Sequence, residues 1–526
     1  MERMTGFDAS LLYLETPQQK LLVGGILIID VSALRGEYSF ERIQTEIARR
    51  VKEIPEFRRK IYDSALNLGH PAWVEEYELD VTQHVRRAVI DPPGDDHALF
   101  EMCGILGGRP MDRSRPLWDM WVLEGLAEPD TVAVYFRAHH ALLDGTNSAA
   151  ILRKLSTAGE RPTARDLELV RVQAGGTNPI SLVAGGAWDY MVRRPLTFAR
   201  LVPEAVALPF KLRRATAAKE PDTSPSDVPR AAPFTAPRTR FNATITPHRA
   251  VAGVALDLAD MREVKEAFGV TVNDVLLSAV GGGLRRYLRF HDDLPEKPLV
   301  ALVPVSTRAD GPGAGNNRVT VLFASLGTDI QDPLRRLRAI SARTRRGKKQ
   351  TKSALRPDLI QDVAEFAPAT ALQLLMRLYG DFHLADLHPV VHNLIVSNIP
   401  GPREKLDFLG ARVTHMYPLG PLMHGSGLSV TAMSVGDTLD IGINACEHLV
   451  PDPELFAQGI RESMGRLLEL TREKGGAGGG GAGATTTKKV PAEKTPARKT
   501  ARKTPARKRP AATKATGKNP TTKNEG

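Results

Sequence analysis

Cysteine is nearly absent from this sequence: Cys103 and Cys446 are the only two in 526 residues. They lie far apart and outside any CxxC pair, which excludes a disulfide framework and a cysteine-rich metal site and fits a reducing, cytoplasmic setting. Long apolar runs are missing too. No stretch approaches the roughly 18 uninterrupted apolar residues of a membrane-spanning helix. The first 14 residues carry Glu2, Arg3 and Asp8 and lack the apolar core of a secretory signal. Any meeting with a membrane or a lipid inclusion is therefore expected to be peripheral. The sequence also holds no GxSxG elbow and no phosphate-binding P-loop, which argues against serine hydrolases and nucleotide-driven chemistry.

Charge of one sign is scarce everywhere except at the C-terminus. Residues 475–526 contain 13 Lys and Arg against two acidic residues, which accounts for the whole formal charge of +11 and leaves 58 of each sign before them. The basicity belongs to a Gly-, Pro- and Ala-rich low-complexity tail with almost nothing apolar to bury, which is expected to be disordered. Having no aromatic residues, the tail can neutralise phosphates without reading bases. Nucleic acid or an anionic membrane would serve as its partner.

At 526 residues and 42% apolar, the rest is too long for one ordinary core and divides into two α/β domains. Residues 1–213 open with a strand-like run, Leu21 to Val31, and an amphipathic helix from Phe40 to Val51 with Ile43, Ile47 and Val51 on one face. A second apolar run, Thr131 to Phe136, precedes a turn at Asp144-Gly145 and a helix from Ser148 to Leu155. Between Ser181 and Arg214, apolar clusters alternate with basic residues, as in an interfacial helix or a packed crossover helix. Residues 214–249, rich in Pro, Ala and Thr, read as a crossover linker. Residues 250–474 repeat the mixture: a helix near Asn273–Phe290, strands at Leu299–Val305 and Arg318–Leu326, and a helix from Pro333 to about Lys349. A hairpin at Gly427–Val435 and Thr438–Ala445 turns at Gly436-Asp437, and a last helix runs from Pro453 to Lys474.

The chemistry concentrates at His139-His140-Ala141-Leu142-Leu143-Asp144-Gly145, two imidazoles and a carboxylate on a turn between a buried strand and a helix. A neutral imidazole there accepts a hydroxyl proton near neutral pH and returns it to a leaving group, as acyl transfer to an alcohol requires. Asp144 fits a structural role, capping the helix or binding an arginine. The plainer reading is a polar pair at a strand end. A metal site is the other competitor, since His140 and Asp144 are four apart, yet strand and turn spoil that geometry and no third ligand is evident. No metal is expected.

The motif resembles the HHxxxDG signature of the bacterial wax ester synthase/diacylglycerol acyltransferases, within the CoA-dependent acyltransferase superfamily. Other blocks resemble the family in its order: Gly6 to Glu15, Pro116-Leu117-Trp118, Asn273-Asp274, Pro304 to Arg308 with Gly315-Asn316-Asn317, and Ser397 to Pro402. The resemblance runs from about Thr5 to Leu470, and the DFGWG block of plant acyltransferases is absent.

The resemblance implies two chloramphenicol-acetyltransferase-like domains with a tunnel at their interface, where acyl-CoA and an alcohol meet at His140. No cofactor is implied, acyl-CoA being a substrate. His140 would be the proton acceptor, with His139 and Asp144 in support and Asn273 a donor to the oxyanion, worth about 3–4 kcal/mol. Gly145, Asp274 and Arg308 would contact substrate. On the residues alone, Asn273 reads as a helix cap, Asp274 and Arg308 as ion-pair formers, and Pro116-Leu117-Trp118 as core. The expected activity is esterification of diacylglycerol to triacylglycerol. Wax ester synthesis from long-chain alcohols is the second reading, and a non-catalytic tether docked by its basic tail is the reading from another class.

Overall fold

Two six-stranded sheets organise the chain. In the computed structural model the described residues are 2–34, 38–63, 70–76, 78–143, 151, 154–155, 170–171, 231, 233–307, 318–354, 369–402 and 406–478. The expected linker up to 230, the basic apolar segment 181–214, most of the helix after Asp144, and the tail beyond 478 lie outside them.

The first sheet is built on β2 (Leu22–Asp30), β6 (Val85–Val89), β7 (Trp118–Glu124) and β8 (Thr131–His139). β2 pairs antiparallel with β8, β8 antiparallel with β7, and β7 parallel with β6. Helices cover both faces. On one side α1 (Gly6–Tyr13) and α2 (Phe40–Val51) bury Ala9, Leu12, Ile43 and Ile47; on the other α3 (Asp96–Gly107) buries Leu99, Phe100 and Cys103. Ser39 starts α2 by accepting from the Arg42 amide at 3.1 Å, and Asp95 does the same for α3 through Ala98 at 3.0 Å. Three short strands, β1 (Glu2–Arg3), β3 (Arg59–Tyr62) and β4 (Ala72–Glu75), form a small sheet, and β5 (Glu78–Leu79) pairs with β9 (Val170–Arg171).

The second sheet runs β10 (Arg249–Asp257), β17 (Thr438–Cys446), β16 (Leu428–Val435), β13 (Leu394–Ile399), β11 (Val300–Thr307) and β12 (Arg318–Ser325). Its core packs against α4 (Leu258–Phe268), α5 (Val272–Phe290), α6 (Pro333–Ala354) and α8 (Pro453–Gly478); α7 (Ala369–Asp381) lies against α1 of the first half. The β16–β17 hairpin closes with Val435 opposite Thr438, and Gly436 takes φ +55°, a conformation that favours glycine.

The domain division expected at residue 250 does not hold for the whole C-terminal half. β14 (Asp407–Phe408) and β15 (Ala411–Leu419) belong to the first sheet, where β15 runs antiparallel to β2 from Arg412 opposite Asp30 to Leu419 opposite Gly24. The reason is backbone pairing: without β15, β2 would be an unsatisfied edge. Likewise Phe241, Asn242 and Ile245, expected in the linker, are buried in the second half.

β15 also packs on β16 and β17. Asp440 of β17, fully buried, accepts from the Met416 amide at 2.7 Å and meets His415 Nδ1 at 3.2 Å. The approach is so close that a Cβ on Gly442 would stand 2.1 Å from the Pro418 carbonyl oxygen. Among the described residues no single helix is long and apolar enough to cross a membrane. The pair α4–α5 has the combined length but turns by 103° between the two, and its apolar residues lie in the second core.

Gly442→Ala is expected to lower unfolding stability by about 1–3 kcal/mol through this clash. Gly465→Ala on α8, where a Cβ meets nothing within 4 Å, should be neutral or stabilising. Urea midpoints measure both, and equal stability of the two variants would contradict the packing at β15.

Candidate active site

β8 delivers the histidine pair, and its neighbours hold the turn that follows. The His139 amide donates to the Leu117 carbonyl and the His140 amide to the Leu21 carbonyl, each at 3.0 Å; the Leu142 amide then returns to the His139 carbonyl at 2.9 Å. Leu117 is fixed by its neighbour Trp118. That side chain is fully buried, stacks between Phe57 and His84 with ring centroids 4.4 and 4.5 Å away, and donates its indole N–H to the Phe57 carbonyl at 2.8 Å. Pro116-Leu117-Trp118 is thus core packing that also supplies the carbonyl anchoring His139.

The two rings are oriented differently. His140 is partly buried, and its Nδ1 lies 3.2 Å from the Leu143 carbonyl oxygen. A carbonyl only accepts, so Nδ1 carries the proton and Nε2 keeps its lone pair. His139 is 1% exposed, and its Nδ1 accepts from the Ala141 amide at 3.1 Å, which puts its proton on Nε2. Burial, reinforced by Arg113 and His140, pushes the His139 pKa down to about 3. His139 is therefore neutral with its lone pair engaged, and of the two only His140 offers a basic nitrogen.

In the second half, Thr271 caps α5, accepting from the Asp274 amide at 3.2 Å while the Asp274 carboxylate accepts from the Thr271 amide at 2.9 Å. Asp274 further accepts from the Ser341 and Thr344 hydroxyls on α6, at 3.1 and 2.6 Å. Burial pushes this carboxyl up, but the bonds from Thr344, Thr271 and Ser341 outweigh it and hold the pKa below the usual range. Asp274 thereby ties α5 to α6. Asn273, the second residue of α5, is not the cap; its side-chain amide makes no hydrogen bond to the described residues. Asp144, Gly145 and Arg308 lie outside the described residues.

Sequence reasoning missed the residues that join the halves beside the turn. Within the first sheet, Arg137 and Asp119 form a buried ion pair at the edge of this join, with Nε to Oδ1 at 2.8 Å. Lys20 donates to the carbonyls of Gly108 and, at 3.2 Å, Pro247 of the second half. Arg249 reaches back to the Gln18 carbonyl at 2.5 Å. Burial, with Arg249 and Arg137 nearby, lowers the Lys20 pKa to about 8. A small pocket opens here between the sheets, lined by Lys20 to Gly24, Gly107, Tyr135, Arg137, Arg249, Leu419, Leu422 and Asn444. Glu15 and Arg113 also flank His139, with Glu15 Oε2 3.8 Å from its Nε2. Among the described residues no group of three His, Cys, Asp or Glu side chains could hold a metal ion.

The arrangement, one free imidazole nitrogen on a pinned turn beside a seam, suits proton transfer to and from an oxygen nucleophile. Residues 4–276 match the wax ester synthase/diacylglycerol acyltransferase catalytic domain, and residues 315–468 match the C-terminal domain of the same family. A Mycobacterium tuberculosis protein carrying a diacylglycerol O-acyltransferase name is 40% identical over 474 residues, 90% of this chain and 91% of that one. A Mycobacterium bovis protein with the same type of name is 32% identical over 465 residues, 85% and 87% of the two chains. The solved wax ester synthase/diacylglycerol acyltransferase from Marinobacter aquaeolei VT8 superposes with a TM-score of 0.62 at 26% identity, covering 90% of this chain and all of that one. The chain belongs to the wax ester synthase/diacylglycerol acyltransferase family and is an acyl-CoA-dependent acyltransferase.

Proposed function

We propose that this acyltransferase esterifies diacylglycerol with the acyl group of acyl-CoA, giving triacylglycerol and CoA, with His140 as the base. The observation that carries the reading is the His140 ring, whose Nδ1–H is committed to Leu143 so that Nε2 is left to accept a proton. Nε2 takes the acceptor's hydroxyl proton as its oxygen bonds to the thioester carbonyl. The tetrahedral intermediate then collapses, the carbon–sulfur bond breaks, and the imidazolium returns the same proton to the CoA sulfur. Acyl-CoA is a substrate, no cofactor is consumed and no acyl-enzyme forms. Asn273 is the donor assigned to the oxyanion, supported by its freedom from the α5 cap. Asp144 supports the turn, and Gly145 and Arg308 contact substrate, on the strength of the family resemblance.

Diacylglycerol comes first because the mycobacterial relatives bear that name. A long-chain alcohol, giving wax ester, comes second because the family description and the Marinobacter protein's name include both. Either acceptor resides in lipid, and one face suits that contact. α7 and the turn after it expose Leu374, Leu375, Leu378, Phe382 and Leu387 beside Phe7 of α1. This face connects to the site: Tyr379 packs edge-on against His424, whose amide donates to Gln19 at 2.7 Å, two residues before Leu21.

Purified protein given palmitoyl-CoA with dioleoylglycerol or hexadecanol should release CoA and form ester, and His140→Ala should lose roughly 10²–10⁴-fold. Full activity in that variant would remove the base. Ester from hexadecanol but none from dioleoylglycerol would leave the second reading standing. The paired change Leu375→Asp and Phe382→Asp should depress turnover on emulsified dioleoylglycerol far more than on detergent-dispersed substrate; equal effects in both would rule out the lipid-facing role.

A further inference from the structure

Glu15 follows α1 in the N-terminal block and has no part in the chemistry above. Its carboxylate pairs with Arg113, which also donates to the Leu12 carbonyl at 3.2 Å. Beyond that pair lies His139. Because the His139 Nδ1 lone pair is occupied by the Ala141 amide, Nε2 bears the proton, and this buried N–H has no hydrogen-bond partner among the described residues. An unsatisfied buried donor costs about 1–3 kcal/mol. It faces Glu15 Oε2 across 3.8 Å, a gap that a movement of under about 1 Å would turn into a charge-assisted hydrogen bond.

The ring matters because of what its other nitrogen holds. His139 Nδ1 fixes the Ala141 amide, the residue after His140, so a rotation of the His139 ring loosens the turn that presents His140 Nε2. Arg113 sits three residues before Pro116, on the segment whose Leu117 carbonyl already pins the His139 backbone.

We infer that Glu15 is a positioning residue of this enzyme: held by Arg113, it accepts a hydrogen bond from the His139 Nε2–H in the working conformation and so locks the tautomer and the turn that aim His140 at the acceptor hydroxyl. The inference rests on His140 being the base. Burial raises the Glu15 pKa, opposed by the Arg113 ion pair and more weakly by Lys20, as expected of a carboxylate drawn out of water beside cations. The charged and titratable groups facing this chain are Arg113, Lys20 and His140.

The test compares Glu15→Gln, Glu15→Ala, Arg113→Leu and the double variant Glu15→Ala/Arg113→Leu with the wild type and His140→Ala. Each is assayed for kcat and for KM of palmitoyl-CoA between pH 5.5 and 9, with thermal midpoints alongside. Glu15→Ala should lose on the order of 100-fold in kcat, as misaimed reacting groups do, with KM little changed. Glu15→Gln, which keeps an acceptor oxygen, should lose less. The double variant should be no slower than Glu15→Ala, because the two residues act as one chain. Removing the negative charge should move the acid limb of kcat/KM to lower pH, because it takes an anion away from the histidine pair and leaves the Arg113 cation in place. Wild-type kcat in both Glu15 variants, or losses that simply add and track a falling thermal midpoint, would overturn the inference while leaving His140 untouched. Should Glu15→Ala not fold, Glu15→Gln decides alone by its kcat and acid limb. An active His140→Ala would instead overturn the reading beneath it.

Discussion

The hydrogen bonds from two successive amides, His139 to Leu117 and His140 to Leu21, are the constraint on which the rest of the structure depends. They come from opposite flanks of β8 and stop the chain at the strand's end, so that the peptide must turn at once. Within that turn each imidazole finds a backbone partner, His139 accepting from Ala141 and His140 donating to Leu143. Opposite tautomers follow from these partners, and with them a division of labour in which one ring is spent on structure and the other retains a lone pair. Neighbouring residues of the same type thus acquire different chemistry from main-chain geometry alone.

Leu21 connects this turn to the join between the halves. The preceding residues Gln18, Gln19 and Lys20 bond to Arg249, His424 and Pro247 of the second half, while Lys20 also bonds to Gly108. β15 adds a covalent splice, since a strand from the C-terminal half completes the N-terminal sheet and rests on β16 and β17. The halves are consequently not separable modules. Displacing the seam would disturb the peptide that holds His140, coupling active-site geometry to the fit of the two sheets.

Much of this was legible in the sequence where the signal is local. The helix at Phe40–Val51 agrees residue for residue with its apolar spacing, the hairpin at Gly436-Asp437 with its turn chemistry, and the histidine motif with its place at a strand end. The helix opening near Asn273 also follows its local spacing, though its cap does not. The Asn273 side chain is not the cap; Thr271 is, and the Ser341 and Thr344 hydroxyls that bond Asp274 come from a helix some 70 residues away, which no local pattern encodes. β15 carries no such local signal: its partner, β2, lies nearly 400 residues away, and no local periodicity encodes the pairing. Glu15 and Arg113 were equally hidden: one is a residue of a matched block and the other an ordinary surface-type cation until the fold sets them beside His139.

At the centre stands the pinned turn, which holds a proton on His140 Nδ1 and leaves Nε2 free. The most direct measurement is nitrogen-15 NMR of histidine-labelled protein at pH 7.5, with the His140 signals assigned by their loss in His140→Asn. The account predicts a pyrrole-type shift for Nδ1 and a pyridine-type shift for Nε2. The reverse pattern, with the proton on Nε2, would contradict it, because a nitrogen already carrying a proton cannot accept one from the acceptor alcohol.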